Sequence, residues 1–240
     1  MATPSCLILP DDLRLEAKSW LACGASALLL DLREPRAGAV AFLRQAREFA
    51  PRPALYARLG PLEHPGFDLA LESMLEAPPD GIFLDGAEGG ASVQHLAAKL
   101  AVFEARAGLA GGATTIVACA AQPPAAIFAL QGYKRCSPRL KALAWESDAM
   151  AQELGAQELG AQELGAAPLA VARGLLILGA AAAGLPALDA PCAHPHDAHP
   201  RDAAKLRADC LAARADGFKG KLATAREEIA IIEEIFAARP

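Results

Sequence analysis

The chain has 240 residues, 53% of them hydrophobic and 21% charged, with a formal net charge of −5. That is enough apolar matter for one large core, and the length suits one eight-stranded α/β barrel. The acidic balance excludes a field that would gather nucleic acid or an anionic membrane surface, and 5% aromatics leaves few rings on which bases would stack.

Short apolar runs alternate with longer amphipathic ones. In chain order the strand signals fall at 6–9, 27–31, 54–58, 81–84, 115–119, 142–145, 187–189 and 218–223. Helical patterns lie between them at 12–22, 37–49, 66–76, 91–108, 124–131, 148–182, 202–215 and 226–237. Such alternation predicts a parallel sheet. The strand runs are apolar throughout and lack a period of two, which means burial on both faces. A (β/α)8 TIM-type barrel formed by the single domain 1–240 satisfies this and leaves no sheet edge. The stretch 169–188 is apolar apart from Arg173 and is interrupted by Gly174, Gly179, Gly184 and Pro186. It reads as a buried helix running into a strand, not as a membrane span.

Three strands close on polar residues: Asp31, Arg58, and the Glu146/Asp148 pair beyond Trp145. In a barrel of this kind the βα loops converge at that end and carry the chemistry. The plainer reading is that these residues cap the helices that follow, and Asp148 suits an N-cap. Cysteines at 6, 23, 119, 136, 192 and 210 form no CxxC pair. Cys6 and Cys119 lie in apolar runs, where a cysteine acts as a small buried hydrophobe. A reducing cytoplasm suits them, and the opening residues show no secretory leader.

Two short tandem repeats interrupt the pattern. Residues 151–165 read AQELG three times, and 193–202 read AHPHD then AHPRD. Five residues are too few for a stacking unit, so both are insertions in an ordinary domain. The first lengthens a helix; because five residues turn a helix by about 140°, its leucines share no face and part of it meets solvent. The second brings His194, His196 and His199 near Cys192 and Asp197, a grouping that duplication explains without a metal.

Several segments, in order, match a known family. SCLILPDD, GASALLLDLREPRAG and ARLGPLEHPGFDLAL open the chain; GIFLDGAEGGASVQHL, ALAWESDAMAQELG, ARGLLILGAAAAGLPALDAP and ARADGFKGK follow. The set resembles the citrate lyase beta subunit-like proteins of the HpcH/HpaI aldolase superfamily. The resemblance implies a magnesium-assisted carbon–carbon lyase acting on a carboxylated thioester of coenzyme A or an acyl carrier, or on a related oxo-acid. It also implies a homo-oligomer. Breaking a bond beside a carbonyl leaves an enolate, whose charge a divalent cation and an arginine would stabilise.

Carried over residue by residue, the resemblance makes Arg58 the arginine for a carboxylate. Asp31 and Glu34 become acids that orient Arg58 or a water, although Arg33 stands between them where the family has an acid. Glu146 and Asp148 become the metal ligands. Without a gap Ala149 takes the family's aspartate position, and a shift of one residue gives it to Asp148. The family's glutamate at the end of the fifth strand is replaced by Ala118 or a neighbour. Asp85-Gly86 stands where the family often has Pro-Lys, with Glu88 keeping the following acid, and Ala223-Thr224-Ala225 stands for Ile-His-Pro. These losses support a second reading, a catalytically degraded member that serves as a binding or scaffold subunit. Nucleophilic catalysis by Cys119 would need a neighbouring base and exposure that its apolar flanks do not offer.

Overall fold

Each of the eight apolar runs becomes a strand. In the computed structural model, which describes residues 3–10, 17–34, 38–155, 166–192 and 202–237, they are β1 (Ser5–Ile8), β2 (Ala27–Asp31), β3 (Ala54–Leu59), β4 (Gly81–Leu84), β5 (Thr115–Cys119), β6 (Leu140–Ala144), β7 (Ala187–Asp189) and β8 (Gly220–Ala223). All neighbours pair in parallel, and β1 pairs with both β2 and β8, so the sheet closes into a barrel. Around it lie α1 (Ala17–Leu21), α2 (Ala39–Arg47), α3 (Phe67–Ser73), α4 (Gly90–Arg106), α5 (Ser147–Glu153), α6 (Ala166–Ala183), α7 (Ala203–Asp216) and α8 (Arg226–Ala237). A 3-10 segment, Pro124–Tyr133, fills the place of a helix between β5 and β6.

Side chains alternate across the sheet, and the core divides accordingly. Cys6, Ala27, Leu29, Tyr56, Phe83, Val117, Cys119, Ala142, Ala144, Leu188 and Leu222 pack together as the barrel interior. Their neighbours along each strand, among them Leu28, Leu30, Ala57, Leu84, Ala118 and Leu143, pack with Phe42, Leu96, Leu176 and Ile232 of the helices. Tyr56 and Phe83 meet edge to face, with ring centroids 5.3 Å apart. With both faces covered, no strand shows a polar side, which explains the unbroken apolar runs.

Two expectations change. The pattern at 148–182 is two helices among the described residues, because α5 stops at Glu153. Gly155, the last residue of the first AQELG copy, has φ 66°, a left-handed conformation that ends a helix. The first copy therefore terminates a helix instead of extending it. Residues 156–165 of the repeat, and the histidines at 194, 196 and 199, lie outside the described residues. The stretch 169–188 does run as helix into strand, through α6 to β7, and no described helix is long and apolar enough to cross a membrane. All six cysteines are free.

Outside the barrel, the buried charges of Glu104 and Lys221 are both paired. Glu104 of α4 is 1% exposed and receives Arg139 on both oxygens, at 2.5 and 2.7 Å. The backbone N–H groups of Thr114 and Gly112 donate to the same carboxylate at 2.7 and 2.8 Å. Burial alone would raise its pKa; the hydrogen bonds and charge of Arg139 and the two amides instead hold it at about 2. Lys221 of β8 is likewise buried, held by Asp189 of β7 at 2.8 Å and Asp209 of α7 at 2.7 Å.

Candidate active site

The C-terminal ends of β2 to β6 gather the polar side chains of the mouth. Asp31 ends β2, Arg58 is the second-last residue of β3, Asp85 follows β4 directly, and Cys119 ends β5. Glu146 lies two residues beyond β6 with φ −139° and ψ 122°. The chain is still extended there, so the alternation that turns Ala142 and Ala144 inward carries Glu146 inward as well. Asp31 and Arg58 are partners across β2 and β3.

Arg58 is the centre of the cluster. It is 5% exposed. Its Nε donates to both oxygens of Asp85, at 2.8 and 3.0 Å. Nη1 donates to Glu146 Oε1 at 2.7 Å, and Nη2 donates to Glu146 Oε2. One guanidinium thus bridges carboxylates from two strand ends, with the fork matched to Glu146. Gln122, in the loop after β5, accepts from the backbone N–H of Gly86 and donates from Nε2 to Glu146 at 3.2 Å. Gly86 has φ 61°, and a Cβ there would lie 2.9 Å from Pro61, so the turn that presents its N–H is reserved for glycine.

At the rim Arg33 donates to Asp31 from Nε at 2.9 Å and Nη2 at 2.5 Å, and its Nη1 lies 3.5 Å from Asp85. Three carboxylates therefore face two guanidiniums. Burial is the largest influence on Asp31 and on Glu146, and it penalises the charged form. For Asp31 the hydrogen bonds of Arg33 and the charges of Arg33 and Arg58 outweigh it, and its pKa falls below the usual value. For Glu146 burial wins, aided by repulsion from Asp85, and its pKa rises despite Arg58. Burial, Asp85 and Glu146 push the Cys119 thiol well above its ordinary value, so it keeps its proton at neutral pH. Asp85, Cys119 and Glu146 each offer a ligand atom, and the three atoms lie within 4.8 Å of one another.

The sequence-predicted residues fall into two groups. Arg58 and Glu146 meet directly, and Asp31 lies beside them, joined to Arg33. Glu34 is exposed beyond the rim, and Asp148 is exposed in the first turn of α5; neither belongs to the close-set trio. Ala118 is packed in the sheet–helix layer, and Cys119 is the fifth-strand residue that reaches the acids. The sequence pattern does not mark Asp85, Cys119 or Gln122 as site residues. Strand parity was the available signal: Val117 and Cys119 share the inward register, and Asp85 continues that of Phe83.

No protein-family profile matches the sequence, and no curated protein does. Solved structures do. RipC from Yersinia pestis matches with TM-score 0.70 and 23% identity, over 98% of this chain and 95% of its own. The citrate lyase beta subunit of Mycobacterium tuberculosis, complexed with oxaloacetate and magnesium, matches with TM-score 0.70 and 19% identity, over 100% and 98%. This chain has the citrate lyase beta subunit fold. The M. tuberculosis CitE protein in complex with magnesium, acetoacetate and coenzyme A shares that fold at TM-score 0.70 and 19% identity, over 99% of this chain and 82% of that one. The resemblance read from the ordered motifs, and the barrel it implied, both stand at the level of the fold.

Proposed function

We propose that this chain is a divalent-cation-assisted carbon–carbon lyase for a small carboxylated substrate, either a free oxo-acid or the acyl part of a coenzyme A thioester. The observation that carries the reading is a buried arginine set between two carboxylates at the C-terminal strand ends of a citrate lyase beta-type barrel. Fold neighbours bound to magnesium with oxaloacetate, or with acetoacetate and coenzyme A, support the choice of ligands.

The donor set fits magnesium in kind. Asp85 and Glu146 supply two hard carboxylates from β4 and β6, and the ion usually takes one or two, with water and substrate completing its shell. Cys119, soft and protonated, is a neighbour in this reading and not a ligand. A bound cation would supply Lewis-acid stabilisation of the enolate charge. Arg58 would receive the substrate's carboxylate as a forked pair. Arg33, half-exposed at the rim, adds a positive charge on the approach path. Gln122 holds the Glu146 carboxylate in place.

Calorimetric titration with magnesium, alone and with oxaloacetate, tests this reading. Binding at or below millimolar concentrations is expected, with product formation from oxo-acid or hydroxyacyl thioesters. Absence of binding at those concentrations would sink it. A second reading, a binding subunit without turnover, is favoured by Cys119 standing among the acids at the end of the fifth strand. Ligand binding without bond cleavage would select it.

A further inference from the structure

We propose that Arg58 and a divalent cation are alternative occupants of the Asp85–Glu146 pair, so that entry of the cation frees the arginine for the substrate's carboxylate. This rests on the reading of the mouth as a cation-assisted site and adds an order of assembly to it.

The guanidinium already stands where a cation would be held. It touches both oxygens of Asp85 and both oxygens of Glu146, and it is 5% exposed. The ligand atoms of Asp85 and Glu146 lie within 4.8 Å of each other. A dication gripped by them would share those oxygens with a permanent positive charge already in direct contact with them. Like charges at that separation, shielded from water, repel strongly. The arginine is permanently protonated, so losing a proton offers it no escape. Its exit is movement of the side chain, and that movement leaves a forked donor in need of a carboxylate.

The substrate supplies one. Metal and substrate carboxylate then favour the same displaced position of Arg58, and by reciprocity each tightens the other's binding by the same factor. Rim acids do not satisfy the freed arginine, because the neighbouring Asp31 is already forked to Arg33. Arg58 offsets part of the charge of two buried carboxylates, and taking it away with nothing in its place would carry a considerable cost.

The test uses manganese(II) as the metal probe, read by calorimetry and by electron paramagnetic resonance, with acetate as the carboxylate. Arg58→Gln should bind manganese at least tenfold more tightly than the unaltered protein when acetate is absent. Saturating acetate should tighten manganese binding several-fold in the unaltered protein and leave Arg58→Gln unchanged. Equal manganese affinity in both proteins, with no acetate effect, would overturn the competition while leaving the cation site intact. No manganese binding by either at millimolar concentration would overturn the cation site, and the competition with it. Should Arg58→Gln fail to fold, the acetate effect in the unaltered protein decides: no tightening refutes the proposal. Glu146→Gln should abolish manganese binding; if it does not, the ligand pair has been assigned wrongly.

Discussion

Two buried arginine–carboxylate clusters stand on opposite sides of the same sheet, and their chemistry differs. Glu104 outside the barrel shares its one cation with no second carboxylate among the described residues and adds two backbone amides, and its pKa is held at about 2. Glu146 inside the mouth shares Arg58 with a second carboxylate, and its pKa is pushed up, first by burial and then by Asp85. The first cluster is charge-matched and closed by backbone. The second carries more negative charge than its arginine neutralises and faces the open end. A structural ion pair satisfies every group; a site keeps a demand that a ligand can meet. The two clusters show that burial and an arginine alone do not tell the roles apart. The count of charges and the presence of backbone donors do.

The comparison breaks most sharply at β5, where adjacent residues face opposite sides. Ala118→Glu places an unpaired carboxylate in the sheet–helix layer and is expected to cost more than about 4 kcal/mol or prevent folding. Cys119→Glu points a further acid into the mouth beside Asp85 and Glu146 and should remain folded, with a thermal midpoint that rises when magnesium is added. Thermal melts of both, with and without magnesium, check this. If Ala118→Glu folds well and gains the magnesium response, the inward and outward assignments are reversed.

A smaller contrast lies in the acids themselves. Glu104→Gln removes the only carboxylate among the described residues that Arg139 engages and should cost about 3–5 kcal/mol by urea unfolding, with ligand binding at the mouth unchanged. Glu146→Gln leaves Arg58 its contact with Asp85, so a loss of no more than about 2 kcal/mol is expected while metal binding disappears. Equal losses from the two substitutions would contradict the distinction drawn between the clusters.

The smallest effect, and the most diagnostic, is pH dependence. A carboxyl whose folded pKa is depressed stabilises above its unfolded value, and that stability is lost as pH falls through the folded value. For Glu104 the window runs from its ordinary 4.5 down to about 2. Glu146 has the opposite sign. Its folded pKa is raised, so the folded state favours the proton, and its contribution is lost as pH rises from 4.5 through the folded value. Unfolding free energies measured across pH should show the acid limb flattened in Glu104→Gln and the limb above 4.5 flattened in Glu146→Gln. Both variants altering the same limb would refute the opposed shifts.

All eight strands were readable from sequence because strands buried on both faces leave continuous apolar runs. The division between α5 and α6 was not, since one periodic pattern ran through Gly155 and a duplicated segment masked the stop signal. In the mouth, Asp31, Arg58 and Glu146 were legible as polar residues ending apolar strands. In the sequence Asp85 shows only as a departure from the family's Pro-Lys pair, and Cys119 as a core thiol. Cys119 is indeed wholly buried, yet it borders the acids. Burial and membership of a polar site are compatible at a barrel mouth, where the last apolar layer meets the first charged one. Composition around a residue does not reveal which layer it occupies; inward parity counted from Arg58 and Phe83 does.

Gln122 has a consequence that reaches past its two hydrogen bonds. Its carbonyl takes the Gly86 amide after β4 and its amide nitrogen reaches Glu146 after β6, while its own backbone belongs to the loop after β5. Three successive loops are therefore cross-braced by one side chain whose amide orientation is dictated at both ends. A length change between any of these strand ends and its bracing residue would break the brace, so the first residues of the three loops are tied to one another in length while the loops beyond them are not.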